Sequence, residues 1–178
     1  MKGTSVAIVA VVANRSKSGK TTLIASLLPI FKARGYRVAA IKHAPHGFEM
    51  DTPGKDTHTY KRAGADAVAA VSPGQMALIQ DVAGEMTPQA IAGKFFGDMD
   101  LVIVEGFKKG DFPKIEVVGP QTDDPPLRAN DPAIIMSVCP RERVPGQRPV
   151  FAREDMESLV DLIEKRFLFP KKSGSGPG

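Results

Sequence analysis

Apolar positions along the chain fall into short runs that alternate between two periods, with polar, glycine- and proline-rich breaks between them. Residues 5–13 are nearly all Val, Ile and Ala, the continuous run that a strand buried on both faces requires. Over 21–34 the period changes to that of a helix. Leu23, Ile24, Leu27, Leu28 and Phe31 share one face there, and Gly35 supplies the stop. Pro29 falls inside this helix and is expected to bend it or weaken its centre. Residues 36–42 predict a second strand and 43–55 a loop, with Asp56 capping a short helix that ends at Ala63. Residues 67–71 and 76–80 flank Ser72-Pro73-Gly74 and predict a hairpin, while 87–96 predict a helix with Pro88 in its first turn.

Further along, Leu101-Val102-Ile103-Val104 makes 100–105 a strand buried on both faces, and 114–118 another. The segment 119–132 carries four prolines and is expected to be irregular. Strands at 133–138 and 149–151 follow, then a helix over 154–167 that is acidic at its start and basic at its end, as the helix dipole prefers. Strands alternating with helices predict an α/β fold with a mostly parallel sheet flanked by helices. We expect one domain over 1–169, enough chain to bury a core, and a disordered polar tail over 170–178.

Composition changes this picture little. Of 178 residues, 42% are hydrophobic and 25% charged, as in ordinary globular proteins. A net charge of +4 permits an anionic ligand, but with 6% aromatics and no Trp nothing points to nucleic acid. Cys139 is the only cysteine, which excludes an internal disulfide and a thiolate metal cluster and favours a reducing compartment. The apolar stretch 6–13 is short and β-branched for a signal-peptide core, and nothing is long enough to span a membrane. A cytoplasmic protein without membrane association is expected.

Candidate chemistry begins where the first strand ends. Asn14-Arg15-Ser16-Lys17-Ser18-Gly19-Lys20-Thr21 keeps the second half of a Walker A loop, Gly-Lys-Thr, between a strand and a helix, and so points to a P-loop NTPase fold. Backbone N–H groups around 16–20 can form an anion nest at the positive end of the helix. In that arrangement Lys20 neutralises phosphates, Thr21 offers its hydroxyl to Mg²⁺, and Thr22 completes the binding segment. Asn14 stands where the first glycine belongs, a mild change because Asn tolerates positive φ; Lys17 is harder to accommodate.

A metal-bound nucleotide needs carboxylates near the ion. Glu105 ends its strand at the edge where parallel sheets collect ligands, whereas Asp100 lies roughly 16 Å away at the other end. Asp51 follows the second strand at the same edge as Glu105 and could approach the metal or belong to a solvated turn. His43 and His46 suggest a transition-metal site, but no third ligand is apparent.

Several segments together resemble the MobB family of molybdopterin-guanine dinucleotide biosynthesis adaptor proteins. They are the phosphate loop, Ala40-Ile41-Lys42-His43, Phe48 through Asp56, Arg62-Ala63-Gly64-Ala65, Asp100 through Lys108, and Pro113-Lys114-Ile115-Glu116-Val117. The resemblance covers 6–117 and fades beyond Gly119. It implies a GTP-binding homodimer with at most slow GTP hydrolysis, which helps a separate molybdenum cofactor guanylyltransferase attach GMP to molybdopterin. By the same resemblance Lys20 and Thr21 are phosphate and Mg²⁺ ligands, and Asp51 and Glu105 metal-side carboxylates. This chain departs from the family in its glycine-poor phosphate loop, and in reading Met136-Ser137-Val138-Cys139 where relatives tend to place an aspartate near the guanine. Two alternatives stand beside the adaptor: an ATP-dependent ligase or kinase resembling dethiobiotin synthetase, and a metallochaperone-like GTPase using His43 and His46.

Overall fold

The structure is a computed structural model that describes residues 6–119, 125–139 and 149–168. The expected tail over 170–178 lies outside the described residues. Contacts divide the chain into two compact units. The first comprises the described residues up to His43 and from Thr87 onward; the second is Ala44–Met86.

The first unit contains strands β1 (Ala7–Val12), β2 (Val38–Lys42), β5 (Leu101–Glu105), β6 (Lys114–Val117), β7 (Ile134–Cys139) and β8 (Val150–Ala152). It also holds helices α1 (Lys20–Ala33), α3 (Pro88–Phe95) and α4 (Met156–Phe167), and a 3₁₀ turn at Leu127–Ala129. The second unit contains α2 (Asp56–Arg62) and the antiparallel strands β3 (Ala67–Ser72) and β4 (Gln75–Gln80).

All six strands of the first unit form one sheet in the order β2-β5-β1-β6-β7-β8, and every pairing is parallel. Such a sheet needs helices on both faces, which is why its strands read as unbroken apolar runs. On one face Val9, Val11, Ile103, Ile115 and Val138 pack with Leu27 and Phe31 of α1 and Leu159 and Ile163 of α4. On the other, Ala10, Val12, Val102, Val104 and Ile41 pack with Ala92 of α3. The chain leaves β1 for β2 on one side, and the later strands β6, β7 and β8 lie on the other. The C-terminal end of β1 is therefore the switch point where doubly wound sheets bind ligands.

One local expectation changes, at α2. Helix α1 runs continuously through Pro29. Pro29 and Ala25, the residue whose carbonyl loses its helical donor, are both exposed, so water can take that bond. Asp56 does not cap α2: Lys55 occupies the N-cap with extended φ and ψ, and no side chain bonds there. Asp56 instead sits in the first turn, where its charge favours the dipole. At α3 Pro88 stands in the first turn as expected, and Thr87 caps the helix by accepting a hydrogen bond from the Ala90 amide.

Candidate functional site

Strand β1 stays buried through Ala13, and the chain then turns through 14–19 into α1. Lys17 (φ 58°) and Gly19 (φ 98°) are the positive-φ residues of this loop. Asn14 is not among them, so its tolerance of positive φ is not called on. Its side chain does other work: Nδ2 donates to the carbonyl of Pro125 at 2.8 Å, while its own carbonyl accepts from Lys108 Nζ at 3.1 Å. Arg15, Ser16 and Lys17 are exposed, as are Thr21 and Thr22. Lys20 Nζ rests 3.4 Å from the Arg15 carbonyl, a long contact that holds it weakly.

Ser18 and Gly19 face an arginine from the far end of the sequence. Arg153, just after β8, donates to the Ser18 carbonyl at 2.6 Å. Its Nη1 lies 2.8 Å from where a Cβ on Gly19 would stand, so Gly19 suits its left-handed backbone and leaves room for this close approach. Ser18 Oγ and Arg153 Nε are buried without a partner among the described residues. Gly19 and Arg153 border a cavity of about 40 Å³ lined also by Thr22, Ser26, Val117 and Val138.

Glu105 ends β5 level with Val11 on one neighbouring strand and Lys42 on the other. The start of α1 meets it there: Thr21 Oγ1 donates to the carboxylate, 3.0 and 3.1 Å from its two oxygens. Thus two of the sequence-predicted residues, 84 positions apart, come into direct contact. After Glu105 the chain passes through Gly106 (φ 97°) and Phe107 (φ 54°), with the Phe107 ring stacked on His43 at 4.1 Å between centroids. Asp100 lies at the opposite end of β5 and accepts from the Arg37 amide, away from the loop as expected.

Asp51 belongs to the second unit. Its Oδ1 accepts from the Thr52 amide and the Thr57 hydroxyl, and its Oδ2 is buried without a partner among the described residues. His46 also lies in the second unit and is exposed. Among the described residues no group of three or more His, Cys, Asp or Glu is placed to hold a metal ion.

Sequence reasoning missed Lys108, Arg153 and the Pro125 contact. Lys108 at least sits inside the Glu105-Gly106-Phe107-Lys108 segment, whereas Arg153 carries no local signal.

Comparison with known proteins points the same way. The family described as molybdopterin guanine dinucleotide synthesis protein B matches residues 8–140. The molybdopterin-guanine dinucleotide biosynthesis adapter protein of Escherichia coli (strain K12) is 38% identical over 56% of this chain and 59% of its own length. The protein of that description from Haemophilus influenzae is 39% identical over 56% of this chain and 57% of its own length. The chain thus spans less than two thirds of these two relatives in alignment. The crystal structure of Bacillus subtilis MobB superposes with a TM-score of 0.72 at 29% identity, covering 93% of this chain and 99% of that one. With a Gly-Lys-Thr loop at the switch point of a parallel sheet and a family match over 8–140, this chain belongs to the MobB family of molybdopterin guanine dinucleotide synthesis proteins.

Proposed function

We propose that this chain binds Mg²⁺–GTP on the loop from Asn14 to Thr22 and acts as an adapter in molybdopterin guanine dinucleotide synthesis. In that role it assists a guanylyltransferase that attaches GMP to molybdopterin. The observation that carries the nucleotide reading is the contact between Thr21 Oγ1 and the Glu105 carboxylate at the C-terminal edge of the sheet. A hydroxyl and a carboxylate beside a phosphate loop are the hard oxygen donors that Mg²⁺ takes. Lys20, whose contact with the Arg15 carbonyl among the described residues is long, is available to phosphate oxygens. When bound, the ion would neutralise phosphate charge; Thr21 and Glu105 would hold it or its waters. The adapter reading is supported by the names its relatives carry. No helix among the described residues is long and apolar enough to cross a membrane. We place the protein's action in the cytoplasm, where the reducing environment its single cysteine suggests is found.

We place GTP hydrolysis at slow or negligible rates and the working unit at a homodimer. The second unit supports the dimer. In the β3–β4 register Val71 faces Met76 and Ala69 faces Leu78, and Val71, Met76 and Leu78 on that face are exposed.

The test has two arms. GTP and ATP are titrated against the protein with Mg²⁺ and with a chelator, for wild type and Glu105→Gln. Tighter GTP than ATP binding, with a Glu105→Gln loss confined to the Mg²⁺ condition, is expected; equal losses under both conditions would make Glu105 structural. In the second arm, GMP transfer to molybdopterin by the guanylyltransferase is followed with and without this chain. A transfer rate indifferent to its presence would sink the adapter role.

A further inference from the structure

One short turn touches both ends of the phosphate loop. Glu105 meets Thr21 at the helical end, and three residues later Lys108 Nζ donates to the carbonyl of Asn14, the first residue of the loop, at 3.1 Å. The backbone between them is strained. Gly106 and Phe107 both lie at positive φ, a region a phenylalanine rarely adopts.

Three contacts hold it there. The Gly106 amide donates to the Val11 carbonyl at 3.0 Å, the Gly110 amide donates to the Phe107 carbonyl at 3.1 Å, and the Phe107 ring stacks on His43. A side chain at Gly106 would be strained by the positive φ and tight, with its Cβ 3.0 Å from that of His43. Strain held by this many contacts fixes the direction in which the chain leaves the turn, and its next residue is the exposed Lys108 with its ammonium group.

That ammonium has three donors, and its contact with a neutral carbonyl uses one of them. A phosphate oxygen is the stronger acceptor for such a cation. We propose that Lys108 is a phosphate ligand, donating to the terminal phosphate of a nucleoside triphosphate bound on the loop. The proposal rests on the nucleotide-binding reading above and adds a residue to it. The choice of phosphate comes from the shared turn. In the nucleotide-binding reading Thr21 and Glu105 would hold the metal side of the loop, where the ion would neutralise the terminal phosphates, and Lys108 leaves the same turn as Glu105.

The experiment measures GTP and GDP affinities, both with Mg²⁺, for wild type, Lys108→Met, Lys108→Arg and Lys20→Ala. Lys108→Met is expected to lose about tenfold for GTP while GDP changes by less than about twofold, and Lys108→Arg to recover most of the loss. A residue that only braced the loop through Asn14 would lower both affinities alike. Equal losses, or none, therefore overturn the proposal. Lys20→Ala separates the two levels: if it weakens GTP and Lys108→Met does not, only the Lys108 assignment falls. If neither variant weakens GTP, the phosphate-loop reading falls with it.

Discussion

Lys17 and Gly19 both place the phosphate loop in left-handed backbone, for different reasons. Gly19 is hemmed in by the Arg153 guanidinium, so Gly19→Ala meets both a backbone cost and a steric one. We expect it to destabilise the fold by about 1–3 kcal/mol. In an Arg153→Ala background the steric part disappears, and a double-mutant cycle in denaturant should show coupling of about 1 kcal/mol. Strict additivity would mean that the arginine moves aside at no cost. Lys17 is exposed and meets no such obstacle, so its positive φ is strain without a packing return. Lys17→Gly is expected to raise stability by roughly 0.5–1 kcal/mol, read from the urea midpoint at unchanged slope. A lower midpoint would show that its side chain is held in place. Lys20 belongs to neither hydrophobic core cluster, and Lys20→Ala should leave the fold intact while costing about one to two decades in GTP affinity.

Helix α1 is tied to α4 by charges that the helical period lines up. Arg34, at the C-cap of α1, reaches Glu157, Asp161 and Glu164, which lie along one face of α4. Tyr36 Oη donates to Glu164 at 2.7 Å, and this bond with Arg34 holds the Glu164 carboxyl below its ordinary value of 4.5. A carboxyl held low in the folded state stabilises above its unfolded value, and that contribution fades as pH falls through the folded value. Wild type should therefore exceed Glu164→Gln by roughly 1 kcal/mol at pH 7, the groups being partly exposed. The gap should close as pH drops below about 4.5. A difference independent of pH would assign the effect to shape and not to charge. The elements themselves were legible because apolar runs and the helical period survive in the sequence, as Leu23, Ile24, Leu27 and Phe31 show on α1. Their ends were less so. Asp56 has the right residue type for a cap, but capping depends on where the preceding backbone turns, and Lys55 takes that position.

Legibility of the candidate site tracks sequence distance. The loop and Glu105 could be read because each is set by its own strand: one residue run past β1, the other at the last position of β5. Their contact then comes from register, with Glu105 level with Val11. Arg153 and Pro125 reach the loop from segments whose placement depends on the far strands of the sheet, so no local pattern announces them. The second unit poses a different problem, since α2 has no buried residue and the hairpin is apolar on a face that the chain leaves exposed. An isolated two-stranded hairpin is marginal in water, and an exposed apolar face of this kind invites a partner. A second copy of the chain offers the same face, as a two-fold dimer requires. Val71 and Met76 stand directly opposite each other, so the pair Val71→Glu with Met76→Lys places opposite charges across the strands and keeps the hairpin paired. In a dimer the same charges must be desolvated against their symmetry mates, which apolar contact cannot repay. Light scattering should give wild type at twice the mass of one chain and the double variant at the mass of one, with nucleotide binding retained. A wild type that stays single at every concentration, or a variant that still pairs, would remove this face from the dimer.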